Sequence, residues 1–338
     1  MITKQNMIAY FVFAISVLIA TDAKPECKRR NTEVVCTAGK EDYVLVRGLV
    51  SDNNKTTDIT LKSCRISDIE YEAFNDLDSL RHLDLSRNKI ARLKLGVLDE
   101  PKKLISLNLS YNMLTNFPLG LFDQTINIEQ LDLKGNRIDN IELGIFDHLQ
   151  KLKHVDLSSN SLQGENLSAY IFDQSPYITF IDFSRNDMSN TPDNMLHALR
   201  SLEFLKLDRT FLKEVPAFAT KDNLKTLKHL IMSTNQISSL DNAAVFVNLD
   251  SLEILDLSYN NIDKINGDVL TPLKNLQKIV LRNNKLKTIP DNLFRNMPKL
   301  ITVHLLGNQI SEVPVNSFRG TPLKYLNLSN NKITYLVD

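Results

Sequence analysis

Motifs that carry enzyme chemistry are missing from this sequence. It has no Gly-x-Ser-x-Gly, no His-Glu-x-x-His, no Cys-x-x-Cys and no phosphate-binding Gly-x-x-x-x-Gly-Lys segment. Only ten glycines occur in 338 residues, which leaves few candidates for loops that wrap a phosphate. We therefore predict no catalytic residue, no cofactor and no enzyme activity.

An excess of one charge is also missing. Forty Lys and Arg residues balance forty Asp and Glu residues, so the formal net charge at pH 7 is zero. A nucleic-acid partner would favour a basic surface. The charge balance therefore predicts that nucleic acid is not the partner.

Long hydrophobic runs are absent except at the N-terminus. The apolar stretch from Met7 to Ala20 follows Lys4, and the small residue Ala23 offers a cleavage site. This run is too short to cross a bilayer comfortably, and no apolar C-terminal tail for a lipid anchor follows. We predict that residues 1–23 are a signal peptide and that the product is secreted, extracellular and without a membrane span. An uncleaved anchor is the alternative.

Cysteines are scarce, with three in the chain. Cys27 and Cys36 lie nine residues apart, just after the predicted cleavage site, in a compartment where disulfides persist. We predict that they pair within an N-terminal cap, residues 24–55. Cys64 has two interpretations: a buried, unpaired repeat residue, which we favour, or an intermolecular disulfide.

What the sequence has in abundance is a repeat. The pattern L-x-x-L-x-L-x-x-N-x-L occurs twelve times over residues 56–338, for example as "LEILDLSYNNI" from Leu252. Its period of about 24 residues predicts a solenoid rather than separate globular domains. The Leu-x-Leu core alternates with period two, so we expect one short strand per coil, stacked in parallel about 4.8 Å apart.

Two further positions recur in the coils. The asparagine after each strand both donates and accepts, so we expect it to satisfy buried turn backbone. Cys64 and Thr210 replace it in coils one and seven. An aromatic residue recurs about ten residues after the asparagine. Its periodic position predicts a row of packed rings along the coils, which we call the spine. Its phenylalanines include Phe74, Phe122, Phe146, Phe294 and Phe318.

These features resemble the leucine-rich repeat superfamily, and the 24-residue form resembles the class found in Toll-like receptor ectodomains, small matrix proteoglycans and secreted immune proteins. The resemblance covers residues 56–336. It implies an α/β solenoid: a curved horseshoe with a parallel sheet on the concave face and an irregular or short-helical convex side. It also implies recognition of a protein or glycan by the concave face. The two-cysteine cap and the lack of a C-terminal cysteine cap depart from relatives, so the resemblance does not choose among them.

Outward strand positions in coils six to ten carry large apolar side chains. Gathered on a solvent face, such side chains predict a partner-binding site, although single surface hydrophobes are common. The predicted site comprises Phe180, Phe204, Ile231, Ile254 and Val280.

A second, weaker candidate is an acidic stripe for a basic partner. Neighbouring carboxylates resist joint ionisation, a cost that a partner relieves. Solvated aspartates in a habitual Leu-Asp-Leu-Ser pattern are the alternative. The stripe comprises Asp84, Asp132, Asp156 and Asp182. His82, His154 and His229 share one strand position, but they lie coils apart, too far for a single metal ion, so we predict no metal site.

Four sequons predict N-glycosylation. They begin at Asn54, Asn108, Asn166 and Asn327. Glycans on Asn108 and Asn327 would crowd coils three and twelve and leave coils six to ten accessible.

The last repeat, from Leu323, stops before its spine position. We expect its strand edge, with Tyr325 and Leu328, to associate with a second copy or with another leucine-rich repeat protein. The combined prediction is a secreted recognition protein of innate immunity or extracellular signalling. The alternative is a structural matrix or adhesion protein that acts by self-association.

Overall fold

The computed structural model describes residues 24–334. The predicted signal peptide, residues 1–23, and the last four residues lie outside the described residues. The chain divides into two compact units, Met1–Arg137 and Ile138–Asp338.

The first unit begins with a hairpin and continues as stacked parallel strands. Its strands are β1 Glu26–Arg30, β2 Glu33–Thr37, β3 Tyr43–Leu45, β4 Asp58–Thr60, β5 Ile66–Ile69, β6 His82–Asp84, β7 Ser106–Asn108 and β8 Gln130–Asp132. Antiparallel β1 and β2 carry the disulfide between the facing residues Cys27 and Cys36. Strand β2 pairs in parallel with β4, and β6, β7 and β8 follow in order, while β3 and β5 form a separate pair.

The second unit has the same construction over eight coils. Its strands are β9 His154–Asp156, β10 Phe180–Asp182, β11 Phe204–Lys206, β12 His229–Ile231, β13 Ser239–Leu240, β14 Ile254–Asp256, β15 Lys264–Ile265, β16 Lys278–Val280, β17 Thr302–His304 and β18 Tyr325–Asn327. The main sheet has the parallel order β9-β10-β11-β12-β14-β16-β17-β18, and β13 pairs with β15. Three single 3-10 turns are the helical structure of the described residues: Gly164–Asn166, Ala217–Ala219 and Asp222–Leu224.

The predicted solenoid of one strand per repeat is confirmed in both units. In the main sheet, each three-residue strand from β4 to β17 has a buried middle residue and turns its first and third residues away from the core; Leu107, Val155 and Leu255 are fully buried examples. The alternation follows from the period of two, which puts successive side chains on opposite faces of a sheet. The connecting segments on the other side are irregular, as expected.

The asparagine column is confirmed as the element that joins one coil to the next. At Asn112, Nδ2 donates to the carbonyl oxygens of Leu109 and Leu85, each at 3.0 Å. Its Oδ1 accepts from the backbone N–H of Ile90 at 3.1 Å. Each such amide satisfies three buried backbone groups, and a buried group left unsatisfied costs about 1–3 kcal/mol. The same three bonds recur at Asn88, Asn136, Asn186, Asn235, Asn260, Asn284, Asn308 and Asn331.

The far side of the coils is filled by the predicted aromatic spine. Phe146 and Phe172 stack with ring centroids 5.7 Å apart, and Phe294 and Phe318 stack at 5.4 Å. Burying a phenylalanine side chain contributes about 1.5–3 kcal/mol, so the spine is a major part of the core. Its fully buried members are Phe74, Phe122, Phe146, Phe172, Phe218, Phe246 and Phe294.

The two coils that lack the asparagine turn differently. Cys64 is buried as a free thiol, and burial, followed by the charge of Asp84, raises its pKa to about 11. The hydroxyl of Thr210 donates to Leu207 at 2.8 Å. In these two coils the residue after the column is left-handed, with φ of 57° at Arg65 and 61° at Phe211. The residue before the column is left-handed in the other coils too, so coils one and seven each hold one left-handed residue more at this turn. Left-handed backbone costs a non-glycine residue about 1–2 kcal/mol.

Candidate binding face on the parallel sheet

Four aromatic rings form a continuous row across the sheet of the second unit. They are the first residues of four adjacent strands, β9 to β12: His154, Phe180, Phe204 and His229. We call this row the aromatic ladder. Successive ring centroids lie 4.1, 6.2 and 4.4 Å apart. Aromatic rings at these separations attract one another beyond the effect of area burial, so each ring is supported by its neighbours in the row.

The strand register places the ladder on the solvent side of the sheet. The middle residues Ile181 and Leu205 are fully buried, so the preceding residues in each strand face away from the core. Phe180 and Phe204 are each half-buried, as are Ile231 and Ile254 nearby. The rings are therefore held by their neighbours and still offer apolar surface to solvent.

A charged pair flanks the ladder. Lys206 Nζ lies 5.1 Å from the ring centroid of Phe180 and 3.6 Å from Oδ2 of Asp182. The Asp182 side chain is only 8% exposed, while that of Lys206 is 43% exposed. Lys206 therefore covers the carboxylate and lies against the ring face, an arrangement in which a cation is attracted to the ring.

Both ladder histidines have a lowered pKa. Burial is the main cause at His154; Asp156 and Asp182 act in the opposite direction, and Lys206 acts in the same direction as burial. Burial also dominates at His229, with Lys228 lowering its pKa and Glu253 and Glu203 raising it. Because an imidazole normally titrates near pH 6.5, a lowered pKa favours the neutral form of both rings at pH 7.

One member of the predicted apolar cluster does not belong to the accessible surface. Val280 is only 5% exposed, so including it was wrong. It pairs with Asp256 on one side and His304 on the other, and its short branched side chain lies between these longer ones. The accessible apolar group is Phe180, Phe204, Ile231 and Ile254, together with the stacked ring of His154, which the sequence did not assign to this cluster.

The aspartates of the predicted acidic stripe have a local structural role. Oδ1 of Asp84, Asp156 and Asp182 accepts from the backbone N–H two residues later, at 2.8, 2.9 and 2.8 Å. Asp132 accepts in the same way from Lys134 at 3.0 Å. Such side-chain turns favour Asp and Asn at this position. The Leu-Asp-Leu-Ser pattern is therefore explained without a basic partner, and the stripe as a binding site stays a prediction.

The sequons differ in accessibility. Asn54 and Asn166 are exposed. Asn108 and Asn327 are half-buried, and their Oδ1 atoms accept from Ser110 and Ser329 at 3.0 Å.

Strand β18 carries exposed apolar groups. Tyr325 is 65% exposed and Leu326 is 39% exposed, while Leu328 is half-buried. Association through this strand stays a prediction.

Two structural features are absent from residues 24–334. No group of three or more His, Cys, Asp or Glu side chains there is arranged to hold a metal ion. No helix in that part of the chain combines the length and hydropathy needed to cross a bilayer.

Several solved structures share this fold. A leucine-rich repeat protein of Leptospira interrogans aligns with a TM-score of 0.67 and 24% identity, covering 87% of this chain and 79% of that one. A chain of the Drosophila Toll–Spatzle complex aligns with a TM-score of 0.68 and 21% identity over 89% of this chain. A chain of the LRIM1/APL1C complex aligns with a TM-score of 0.66 and 20% identity over 91%.

This chain spans only part of the length of two of the matched chains. It spans 44% of the matched chain in the Toll–Spatzle complex and 63% of that in the LRIM1/APL1C complex. Because the sequence identities are 20–24%, the structural similarity shows a shared fold. A sequence comparison with curated proteins finds no match.

The family model for the leucine rich repeat matches residues 54–114, 126–188, 200–261, 225–286 and 274–333. These segments cover more than half of the sequence and contain the strands β4 to β18 and the asparagine column described above. This chain therefore belongs to the leucine-rich repeat family.

Proposed function

We propose that this chain is a secreted recognition protein that binds a protein partner on the solvent face of the second unit's sheet, with the aromatic ladder at the centre of the contact. The observation that carries the proposal is the continuous row His154, Phe180, Phe204 and His229. Aromatic side chains on a rigid scaffold dominate the binding energy of many protein interfaces. The rings of the ladder are also held against one another before binding, so little side-chain entropy is lost when a partner binds.

The solved neighbours support a protein as the partner. The Toll–Spatzle structure is a complex described as a hub in development and innate immunity, and the LRIM1/APL1C structure is also a complex. This support is an analogy at the level of the fold, because function resides in the site. It favours innate immunity or extracellular signalling as the setting in which this chain recognises its partner.

Three features support an extracellular location. The sequence of residues 1–23 has the layout of a signal peptide. The structure joins Cys27 and Cys36 in a disulfide, which persists in oxidising compartments. The exposed side chains of Asn54 and Asn166 are suited to glycosylation, and we propose glycans on Asn108 and Asn327 as well.

A self-associating structural protein is the second candidate. The observation that favours it is the exposed apolar surface of Tyr325 and Leu326 on strand β18. A structural protein of the matrix would be recovered as large assemblies, whereas a recognition protein would be recovered as a defined monomer or dimer. Sedimentation of the full chain separates the two candidates.

The experiment that tests the main proposal compares two double variants in pull-downs from the native fluid. Phe180→Asp with Phe204→Asp places charge in the ladder. His82→Asp with Gln130→Asp makes the same kind of change at the same strand position in the first unit. We expect one partner protein to be captured by the wild type and the control and lost with the ladder variant. Equal capture by all three chains would place the contact elsewhere.

A further inference from the structure

A cleft of about 870 Å³ crosses coil seven on the side away from the ladder strands. One side is formed by coil six, at Met188–Thr191, and the other by coil eight, at Ser239–Asn242. Between them, the residues Val215, Pro216 and Phe218 of coil seven form the bottom. No residue of the aromatic ladder lines this cleft, so it is a separate feature of the second unit.

The spacing of the sequence explains why the cleft lies at coil seven. Leu196 follows Asn186 by ten residues, and Phe246 follows Asn235 by eleven, but Phe218 follows Thr210 by only eight. All three spine residues are fully buried in the core. Coil seven therefore connects column and spine with a shorter segment than either neighbour. Because this segment of coil seven is shorter, it lies closer to the core than the same segments of coils six and eight. The surface above coil seven is therefore left open.

The coil-eight side of the cleft is an open strand edge. Strand β13 pairs only with β15, with Ser239 opposite Lys264. The carbonyls of Ser238 and Leu240 accept from Asp263 and Asn266 at 3.1 and 3.0 Å, so these residues direct their backbone groups toward coil nine. Backbone groups of alternate strand residues point to opposite edges. The N–H and C=O of Ser239 therefore face coil seven, where the described residues supply no backbone partner.

Outside the main sheet, backbone pairing between neighbouring coils also occurs on the other side of coil seven, between coils five and six. Within the described residues, coil seven itself takes no part in such a pair. In coils five and six, Gln163 and Asp187, which follow their column asparagines by three residues and one residue, form a parallel bridge. In coils eight and nine, β13 and β15 pair four residues after the column asparagines. Coils six and eight are two strand spacings apart, roughly 10 Å, which leaves room for one extended chain between them. The cleft, with a volume of about 870 Å³, is therefore open to one extended segment.

The lining suits a polypeptide. Val215 and Pro216 of coil seven and Val245 of coil eight give apolar lining for small side chains. Charged residues of both signs surround it, including Lys213, Glu214 and Asp241. Main-chain hydrogen bonds to an open edge combined with shallow side-chain contacts are the features by which extended peptides are bound.

We propose that this cleft binds an extended segment of a protein partner, which adds a strand to β13 by pairing with the backbone of Ser239. The segment occupies the place that coil seven leaves open. This site acts independently of the aromatic ladder, since the two share no residue.

A phage-displayed library of random decapeptides tests the proposal on the full chain. Ala244→Trp fills the cleft from an exposed position on its rim, and Ala91→Trp makes the same change at an exposed position in the first unit. We expect peptides enriched on the wild type to bind the Ala91→Trp chain equally and the Ala244→Trp chain at least tenfold more weakly. Equal melting temperatures of the three chains establish that the difference is not due to unfolding.

Backbone methylation of a selected peptide identifies the mode of binding. A paired strand directs alternate N–H groups to its partner, so methylating every second amide should abolish binding and methylating the intervening amides should not. The Phe180→Asp, Phe204→Asp chain should bind the peptide as the wild type does. The proposal is overturned if no enriched peptide depends on Ala244, if methylation has no alternating effect, or if the ladder variant loses the peptide.

Discussion

The imidazole of His154 lies parallel to the phenyl ring of Phe180, with the ring centroids 4.1 Å apart and the planes inclined by 3°. The two residues are paired on adjacent strands, so the sheet itself fixes their separation. Burial is the main cause of the lowered pKa of His154, and the ring of Phe180 covers one face of the imidazole. We therefore expect the protonation of His154 to be linked to the packing of Phe180.

This link predicts a pH effect on stability. The unfolded imidazole takes up a proton near pH 6.5, while the folded one does so only at lower pH. The unfolded state therefore binds more protons in that window, and the free energy of unfolding falls as the pH drops from about 6.5 through the folded pKa. An NMR titration of His154 should give a pKa below 6.5. In Phe180→Ala the pKa should rise toward that value, and in Phe180→Leu, which retains apolar cover, it should rise less. Identical titrations in all three chains would show that Phe180 does not provide the burial.

Removing one asparagine of the column should lower the free energy of unfolding far more than removing the asparagine next to it in sequence. Asn260 donates to Met232 and Leu257 at 2.9 and 3.0 Å and accepts from Ile237 at 3.0 Å. Asn260→Ala leaves these three backbone groups unsatisfied, so we expect a loss of about 3 kcal/mol or more. Asn261→Ala is the control, with an expected change within about 0.5 kcal/mol. Urea unfolding measures both, and similar losses would contradict the role given to the column.

Restoring the missing asparagine should relieve strain in coil seven. In Thr210→Asn, the amide can donate toward the Phe183 carbonyl and accept from Met188, as its counterparts do in other coils. We expect Phe211 to leave its left-handed conformation, φ of 61°, and the free energy of unfolding to rise by about 1 kcal/mol. Thr210→Val, which loses the bond to Leu207, should instead lose about 1 kcal/mol. Denaturant unfolding and a crystal structure of Thr210→Asn check both parts. A destabilised Thr210→Asn chain would show that the turn depends on threonine.

Association through strand β18 can be tested by light scattering. We expect a dimer of the wild-type chain that Tyr325→Lys dissociates, because this side chain is 65% exposed and a charge there opposes edge contact. Leu328→Lys should act in the same direction, while Gln130→Lys, at the same strand position as Tyr325 in the first unit, should leave the dimer intact. A wild-type chain that remains monomeric at every concentration tested would remove this prediction.

The repeating parts of the fold could be predicted because each is determined within one coil. The Leu-x-Leu alternation fixes strand and face, and the asparagine fixes the turn, so the positions of Phe180 and Phe204 followed from local sequence. Val280 was misjudged because its burial depends on Asp256 and His304, side chains contributed by the neighbouring coils. The stacking of His154 on Phe180 likewise joins residues of two coils.

Irregular coils were harder to interpret. The early position of Phe218 and the replacement at Thr210 are visible in the sequence, but their consequence depends on the lengths of coils six and eight. The cleft and the left-handed Phe211 arise from that mismatch between neighbours. A pattern that treats all coils as equivalent does not contain this information.

The affinity of the purified partner for the Phe180→Asp, Phe204→Asp chain tests the central claim most directly. Two interface aromatics at about 2 kcal/mol each predict a dissociation constant raised at least a hundredfold. The His82→Asp, Gln130→Asp control should bind as the wild type does, and all three chains should melt at similar temperatures. A folded ladder variant that binds with wild-type affinity would contradict the assignment of the aromatic ladder as the binding face.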